Sequence, residues 1–271
     1  MSVHGEHFEP YTLLDGDRVG RSPVLILCDH ASNALPPEFG TLGLPAEDFA
    51  RHIAFDPGSE PLARALAARL DAPALLTHFS RLLIDCNRGT DDPTLVMRLS
   101  DGSIIPGNRH LTPEDISARI ARFYDPYHRA IDAAIDTALT AGIVPVLLSI
   151  HTFTPVWRGI ARPWHAGILW DRDPRLARLL IDGLSKDPAL VVGDNEPYRG
   201  WLKNDCLYRH GTSRGLAHAL IEIRQDLLTT NAGVTDWCAR IATIIEHALD
   251  DPATRADLTQ IRLHGSRADQ D

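Results

Sequence analysis

No apolar run in the sequence approaches the roughly 20 residues that a membrane-spanning helix requires. The longest, such as Val24–Cys28 and Val144–Leu148, are of strand length. The start, Met1–Pro10, is polar and acidic and lacks the charged-then-apolar order of a secretory signal. Cysteine is scarce. Cys28, Cys86, Cys206 and Cys238 stand far apart with no C-x-x-C spacing, which reads as buried reduced thiols in a cytoplasmic protein. Cys28 lies in an apolar run and reads as a packed thiol rather than a nucleophile. There is no basic block: Lys plus Arg is 27 against 36 Asp plus Glu, a net charge of −9. This argues against broad nucleic-acid binding, because no basic block offsets phosphate charge. An acidic small molecule is not, because a local Arg cluster can reverse the field within a cleft. Internal repeats, low-complexity linkers and a G-x-S-x-G nucleophile elbow are also missing, and the last argues against a serine hydrolase.

What is present is enough apolar material, 44% of 271 residues, to build a large core. Apolar runs of strand length are expected at Val24–Cys28, Ala74–His78, Leu82–Cys86, Val144–Ile150, Ala166–Trp170, Leu190–Val192 and Leu216–Ile223. Between them, helices are expected at Ser59–Leu70 with Ser59 as N-cap, over Thr112–Ala141 with an interruption at Pro126, and at Pro174–Leu184 and Val234–Leu249. Apolar strands alternating with helices indicate a three-layer α/β/α architecture around a mostly parallel or mixed sheet, in one domain spanning 1–271. Its core covers about 22–249, and a polar tail, about 252–271, is expected to be loosely attached.

In such sheets ligands bind beyond the carboxyl ends of the strands. Two predicted strands run into histidines there: Asp29-His30-Ala31-Ser32-Asn33 and His151-Thr152-Phe153-Thr154-Pro155. Neutral imidazole suits zinc, although each can equally be a loop histidine bonded to backbone. Glu222 sits between Ile221 and Ile223, and alternation turns it to the opposite face. It is either half of an ion pair or a general base beside a metal. Arg81, Arg88, Asp85 and Asn87 alternate with apolar residues in one stretch, and Asp194-Asn195-Glu196-Pro197-Tyr198 follows a short strand. Arg pairs with carboxylates in bidentate fashion. Arg64, Arg69, Arg119 and Arg122 are expected on solvent-facing helix surfaces.

Six segments occur in order: Cys28-Asp29-His30-Ala31-Ser32-Asn33, Phe55-Asp56-Pro57-Gly58, Ser80-Arg81 through Asn87-Arg88, Ser149 through Pro155, Gly193 through Tyr198, and Ile221-Glu222-Ile223-Arg224. Together, over about residues 22–228, they resemble the N-formylglutamate amidohydrolase family, which is similar to zinc-dependent exopeptidases and deacylases. The resemblance implies an amidohydrolase acting in histidine degradation, with N-formyl-L-glutamate cleaved to formate and L-glutamate. It implies Zn2+ on His30 and His151, with Glu222 and Arg88 catalytic. It also implies that Arg81, Asn87, Tyr198 and Arg224 bind a small acidic N-acyl amino acid. Where related carboxypeptidases carry H-x-x-E, this sequence has His30 and Asn33. Asn is a poorer zinc ligand than a carboxylate, so the third ligand stays open among Asn33, Asp29, Asp56 and other groups. Two alternatives stand beside this reading: a deacylase of another N-acyl amino acid or small amide, and a non-catalytic binder of acidic metabolites. No nucleic acid or membrane is expected as a partner, and the protein is expected to be a monomer or a homo-oligomer.

Overall fold

A computed structural model describes residues 8–270. Most of the Met1–Pro10 segment lies outside the described residues. Among them, no helix is long and apolar enough to cross a membrane. The elements in chain order are β1 (Tyr11–Leu14), β2 (Val24–Cys28), α1 (Ser59–Leu70), β3 (Ala74–Thr77), β4 (Leu99–Ser100), β5 (Ser103–Ile104), α2 (Pro113–Arg119), α3 (Asp125–Thr140), β6 (Val146–Phe153), β7 (Val156–Trp157), β8 (Ile160–Ala161), β9 (Ala166–Leu169), α4 (Arg175–Leu184), β10 (Val192–Asp194), α5 (Cys206–His210), β11 (His218–Arg224), α6 (Asn231–Asp250) and α7 (Pro252–Leu258).

Seven strands form one sheet in the order β1-β3-β2-β6-β11-β9-β10. The inner strands β3, β2, β6 and β11 are mutually parallel, while β1 runs antiparallel to β3 and β9 antiparallel to β11. The sheet is thus mixed. Helices α1, α4 and α6 bury their apolar stripes on one face, and α3 and α5 cover the other. Strands β2 and β3 are buried throughout, as expected of strands covered on both faces. In α1, Leu62, Ala63, Leu66 and Ala67 recur at helical spacing and are buried.

Several expectations need correction. Leu82–Cys86 is not a strand but a buried run of turns. Leu83 N–H donates to Ser80 O, Arg88 N–H to Asp85 O and Asn87 N–H to Asp85 Oδ1. The apolar side chains signalled burial, and local hydrogen bonds replaced a ladder. The expected strand at Val144 begins at Val146, because Pro145 has no N–H to give a sheet. Ser59 is the first residue of α1, not its cap. The cap is Gly58 at φ 88°, where an added Cβ would lie 2.6 Å from Cβ of Leu228. The long helical region breaks as a π turn, Ile120–Tyr124, just before Pro126, which then sits in the first turn of α3. Arg119 faces inward, donating to Leu83 O and Asn108 Oδ1. The tail is tied down: it contains α7, Arg262 N–H donates to Gly215 O, Arg267 N–H bonds the Asp171 carboxylate, and Ser266 and Ala268 are buried.

The chain leaves β2, forms α1 and returns as β3 on one side. It then leaves β3, forms α2 and α3, and returns as β6 on the other side of β2. The carboxyl ends of β2 and β6 therefore flank a topological switch point, where open α/β sheets form a crevice.

Candidate active site

That crevice is a cavity of about 510 Å³. His30 follows β2, His151 lies near the end of β6, and Glu222 lies on β11 in register with His151. Asp56 comes from the loop before α1, held by its N–H donating to His30 O. All four side chains are buried. The two imidazoles meet edge to face with centroids 4.8 Å apart.

One oxygen, Asp56 Oδ2, lies 2.8 Å from His151 Nδ1 and 3.3 Å from His30 Nδ1. The far side of each ring is backed by another carboxylate. His30 Nε2 is 2.7 Å from Asp85 Oδ1, and His151 Nε2 is 3.4 Å from Asp29 Oδ2. Asp29 is itself held by the Tyr127 hydroxyl, which donates to Oδ1 at 2.6 Å. Arg81 donates to Asp85 at 2.6 Å and stands 3.4 Å from Asp56.

Burial opposes every charge here, yet the carboxylates remain ionised. The imidazole of His151 holds Asp29 at about 2 against the cost of burial, and His30 holds Asp56 below the usual carboxylate range. Asp85 is kept low against burial by Arg81. On Glu222 burial prevails: the carboxyl is pushed up to about 7, with Asp56 adding to the rise against the pull of His151. A carboxyl poised near neutrality can take and return a proton at physiological pH.

The residues present suit a divalent cation. His30, Asp56 and His151 offer ligand atoms within 4.8 Å of one another. Four carboxylates are buried here, Asp29, Asp56, Asp85 and Glu222, and Arg81 pairs with two of them, while Asp29 Oδ2, His151 Nε2 and Glu222 Oε2 are buried without hydrogen-bond partners. Imidazoles whose second nitrogens point at carboxylates are the usual support of metal ligands.

The other expected residues divide. Arg81, Asn87, Arg88 and Tyr198 line the cavity. The Arg81 guanidinium is taken up by Asp85 and Asp56, whereas that of Arg88 bonds only Asn87 O and Thr94 Oγ1 among the described residues. Asn87 accepts from Cys206 N–H, and Tyr198 accepts from Arg162. Two are not brought in. Asn33 is exposed and donates to Phe49 O, because the chain turns away after His30. Arg224 pairs with Asp226 just past the end of β11. Sequence reasoning passed over Asp85 as a partner of His30, and over Tyr127, Arg162 and Arg199. Arg199 directly follows Tyr198 and could have been found from that motif. Tyr127 lies mid-helix and carries no local signal.

A model of the N-formylglutamate amidohydrolase family matches residues 22–229. The chain belongs to this family. It is accordingly a hydrolase of amide bonds. Among solved structures, the gene product Atu2144 from Agrobacterium tumefaciens is 33% identical with a TM-score of 0.85, over 90% of this chain and 96% of that one. The N-formylglutamate amidohydrolase from Ralstonia eutropha JMP134 is 22% identical with a TM-score of 0.69, over 92% and 100%, a likeness of fold. Comparison with curated proteins gives no match.

Proposed function

We propose that this member of the family hydrolyses the amide of a small N-acylated amino acid, in the first instance N-formyl-L-glutamate, releasing formate and L-glutamate. The observation that carries the reading is the convergence of His30, Asp56, His151 and Glu222 on one cavity at the switch point of the sheet. His30, His151 and Asp56 are the residues that would hold zinc, and zinc there supplies a Lewis acid for the acyl oxygen and acidifies water. In this assignment Asp56 takes the place that Asn33 leaves empty.

Glu222 accepts the proton of the attacking water and delivers it to the departing amine, so that the amide C–N bond breaks as the new C–O bond forms. Its unpartnered Oε2 is the atom for that transfer. Asp85 and Asp29 fix the ring orientation of His30 and His151. Arg81 balances Asp85 and Asp56. Arg88 and Arg199 line the cavity with no carboxylate partner among the described residues, and they grip the substrate carboxylates or the developing oxyanion. Asn87 and Tyr198 orient the substrate. Trp157, Trp170 and Trp201 close the walls and exclude water.

The volume and these aromatic walls also favour a second reading, a deacylase of larger N-acyl amino acids. Four free, buried cysteines support a reducing compartment, and this reading takes it to be the cytoplasm. Residues of about 22–249 form one hydrolytic unit in this reading, with the tail as its brace.

The test is formate release from N-formyl-L-glutamate before and after chelation, beside a panel of N-acetyl and N-carbamoyl amino acids. Activity that a chelator abolishes and zinc restores is expected. Undiminished activity in metal-free protein sinks the metal assignment, and preference for an acetyl substrate selects the second reading.

A further inference from the structure

A second group of metal-ligating side chains lies outside the proposed reaction. His128 is on α3, and Cys206 and His210 stand four residues apart on α5, hence on one face of it. All three are fully buried, and their ligand atoms lie within 4.8 Å of one another.

The hydrogen inventory of the two imidazoles is decisive. His128 Nε2 is 3.1 Å from Cys86 O, and His210 Nδ1 is 3.0 Å from Asp132 Oδ1. A carbonyl and a carboxylate only accept, so both outer nitrogens carry hydrogen. In neutral rings this leaves His128 Nδ1 and His210 Nε2 as two bare lone pairs, and they face each other at 2.8 Å. Lone pairs at that distance repel unless a positive centre lies between them. A shared proton would serve the imidazoles but would not engage the Cys206 thiol, which is buried beside both of them. It would also make a cation whose nearest carboxylate, Asp132, is two-fifths exposed. A thiophilic metal uses all three groups, and the outward hydrogen bonds to Cys86 O and Asp132 are the support that metal-bound histidines ordinarily have.

We propose that His128, Cys206 and His210 form a structural site for a thiophilic divalent cation, zinc being the simplest, that fastens α5 to α3. Binding releases the Cys206 thiol proton. The site sits beneath the crevice: Asp205 and Leu207, on either side of Cys206, line the cavity wall. It shares no residue with the group of His30, Asp56 and His151, so it stands or falls separately.

The probe is Co2+, titrated into metal-free full-length protein and followed by absorption and bound-metal analysis. A thiolate-to-cobalt charge-transfer band is expected, because only this site contains a cysteine. Cys206→Ser removes the band and one bound equivalent, and His30→Ala keeps the band. Where the first site holds metal too, wild type binds two equivalents and Cys206→Ser one. Where it does not, the counts are one and none. Wild-type protein with no such band overturns the proposal and needs no variant for interpretation. A band that persists in a folded Cys206→Ser protein overturns it as well. If Cys206→Ser does not fold, His210→Gln gives the same reading.

Discussion

Two buried charge clusters in this molecule have similar parts and opposite bookkeeping. Behind α4, Arg175 and Asp173 form a buried ion pair, and Arg175 also donates to the carbonyls of Asp257, Gln260 and Gly215. Every nitrogen of that guanidinium is engaged. In the crevice, Arg81 likewise meets Asp85 and Asp56, but Glu222 Oε2 has no partner, and Asp29 Oδ2 and His151 Nε2 face each other at 3.4 Å without a hydrogen bond. Burying a polar atom without a partner costs about 1–3 kcal/mol, so such atoms persist where something else uses them. The Arg175 cluster fastens the C-terminal residues to α4 and leaves one buried atom, His264 Nε2 at 3.6 Å from Asp173, without a hydrogen bond, whereas the crevice leaves three and is a place for a ligand. What separates them is the number of unfilled valences, three against one, and the cavity that His151 and Glu222 line, not the number of buried charges.

The comparison can be broken most sharply at Glu222. Glu222→Gln keeps shape and removes the base, so kcat is expected to fall roughly 10²- to 10⁴-fold, with the folded protein and its bound metal retained. Steady-state formate release decides this, and near-wild-type kcat removes Glu222 from the mechanism. The next effect belongs to the other cluster. Arg175→Ala strands Asp173 in the interior and is expected to cost about 3–5 kcal/mol of stability. Urea unfolding measures the loss, while kcat/KM per folded molecule stays unchanged. A fall in kcat/KM without a loss of stability would reverse the assigned roles. The smallest effect is pH-dependent. His218, which Asp173 and Arg175 both influence, is held neutral by burial, its pKa below the ordinary value. Below about pH 6.5 the unfolded chain takes up a proton that the folded chain refuses, so stability falls as pH drops. His218→Gln should flatten that decline. Parallel wild-type and variant curves between pH 7 and 5 would show that His218 plays no part in it.

The fold was legible where apolar runs were unbroken. Val24–Cys28 is a strand at both of its expected ends, and the helix α1 was read from one stripe of leucines and alanines. Legibility failed where burial and secondary structure part company. Leu82, Leu83 and Ile84 are as buried as any strand, but their backbone closes on itself in turns. The same failure touched the site. His30, His151 and Glu222 were visible because each ends a strand. Asn33 was chosen by spacing alone, and the turn after His30 carries it to the surface. Arg224 stood next to a motif yet pairs with Asp226. Asp85 and Tyr127 were opaque because their partners lie 55 and 98 residues away.

By itself the sequence determined the alternation of helix and strand, the acidic balance, the family and the strand ends that carry imidazole and carboxylate. These are local or additive properties, set by side-chain chemistry and period. Only the tertiary structure decided that Asp56 rather than Asn33 stands between the two imidazoles, which arginines are already spent on internal carboxylates, and that His128 faces His210. Such facts are distances between residues remote along the chain, and they come into being only when the sheet order brings β2 beside β6 and α3 against α5.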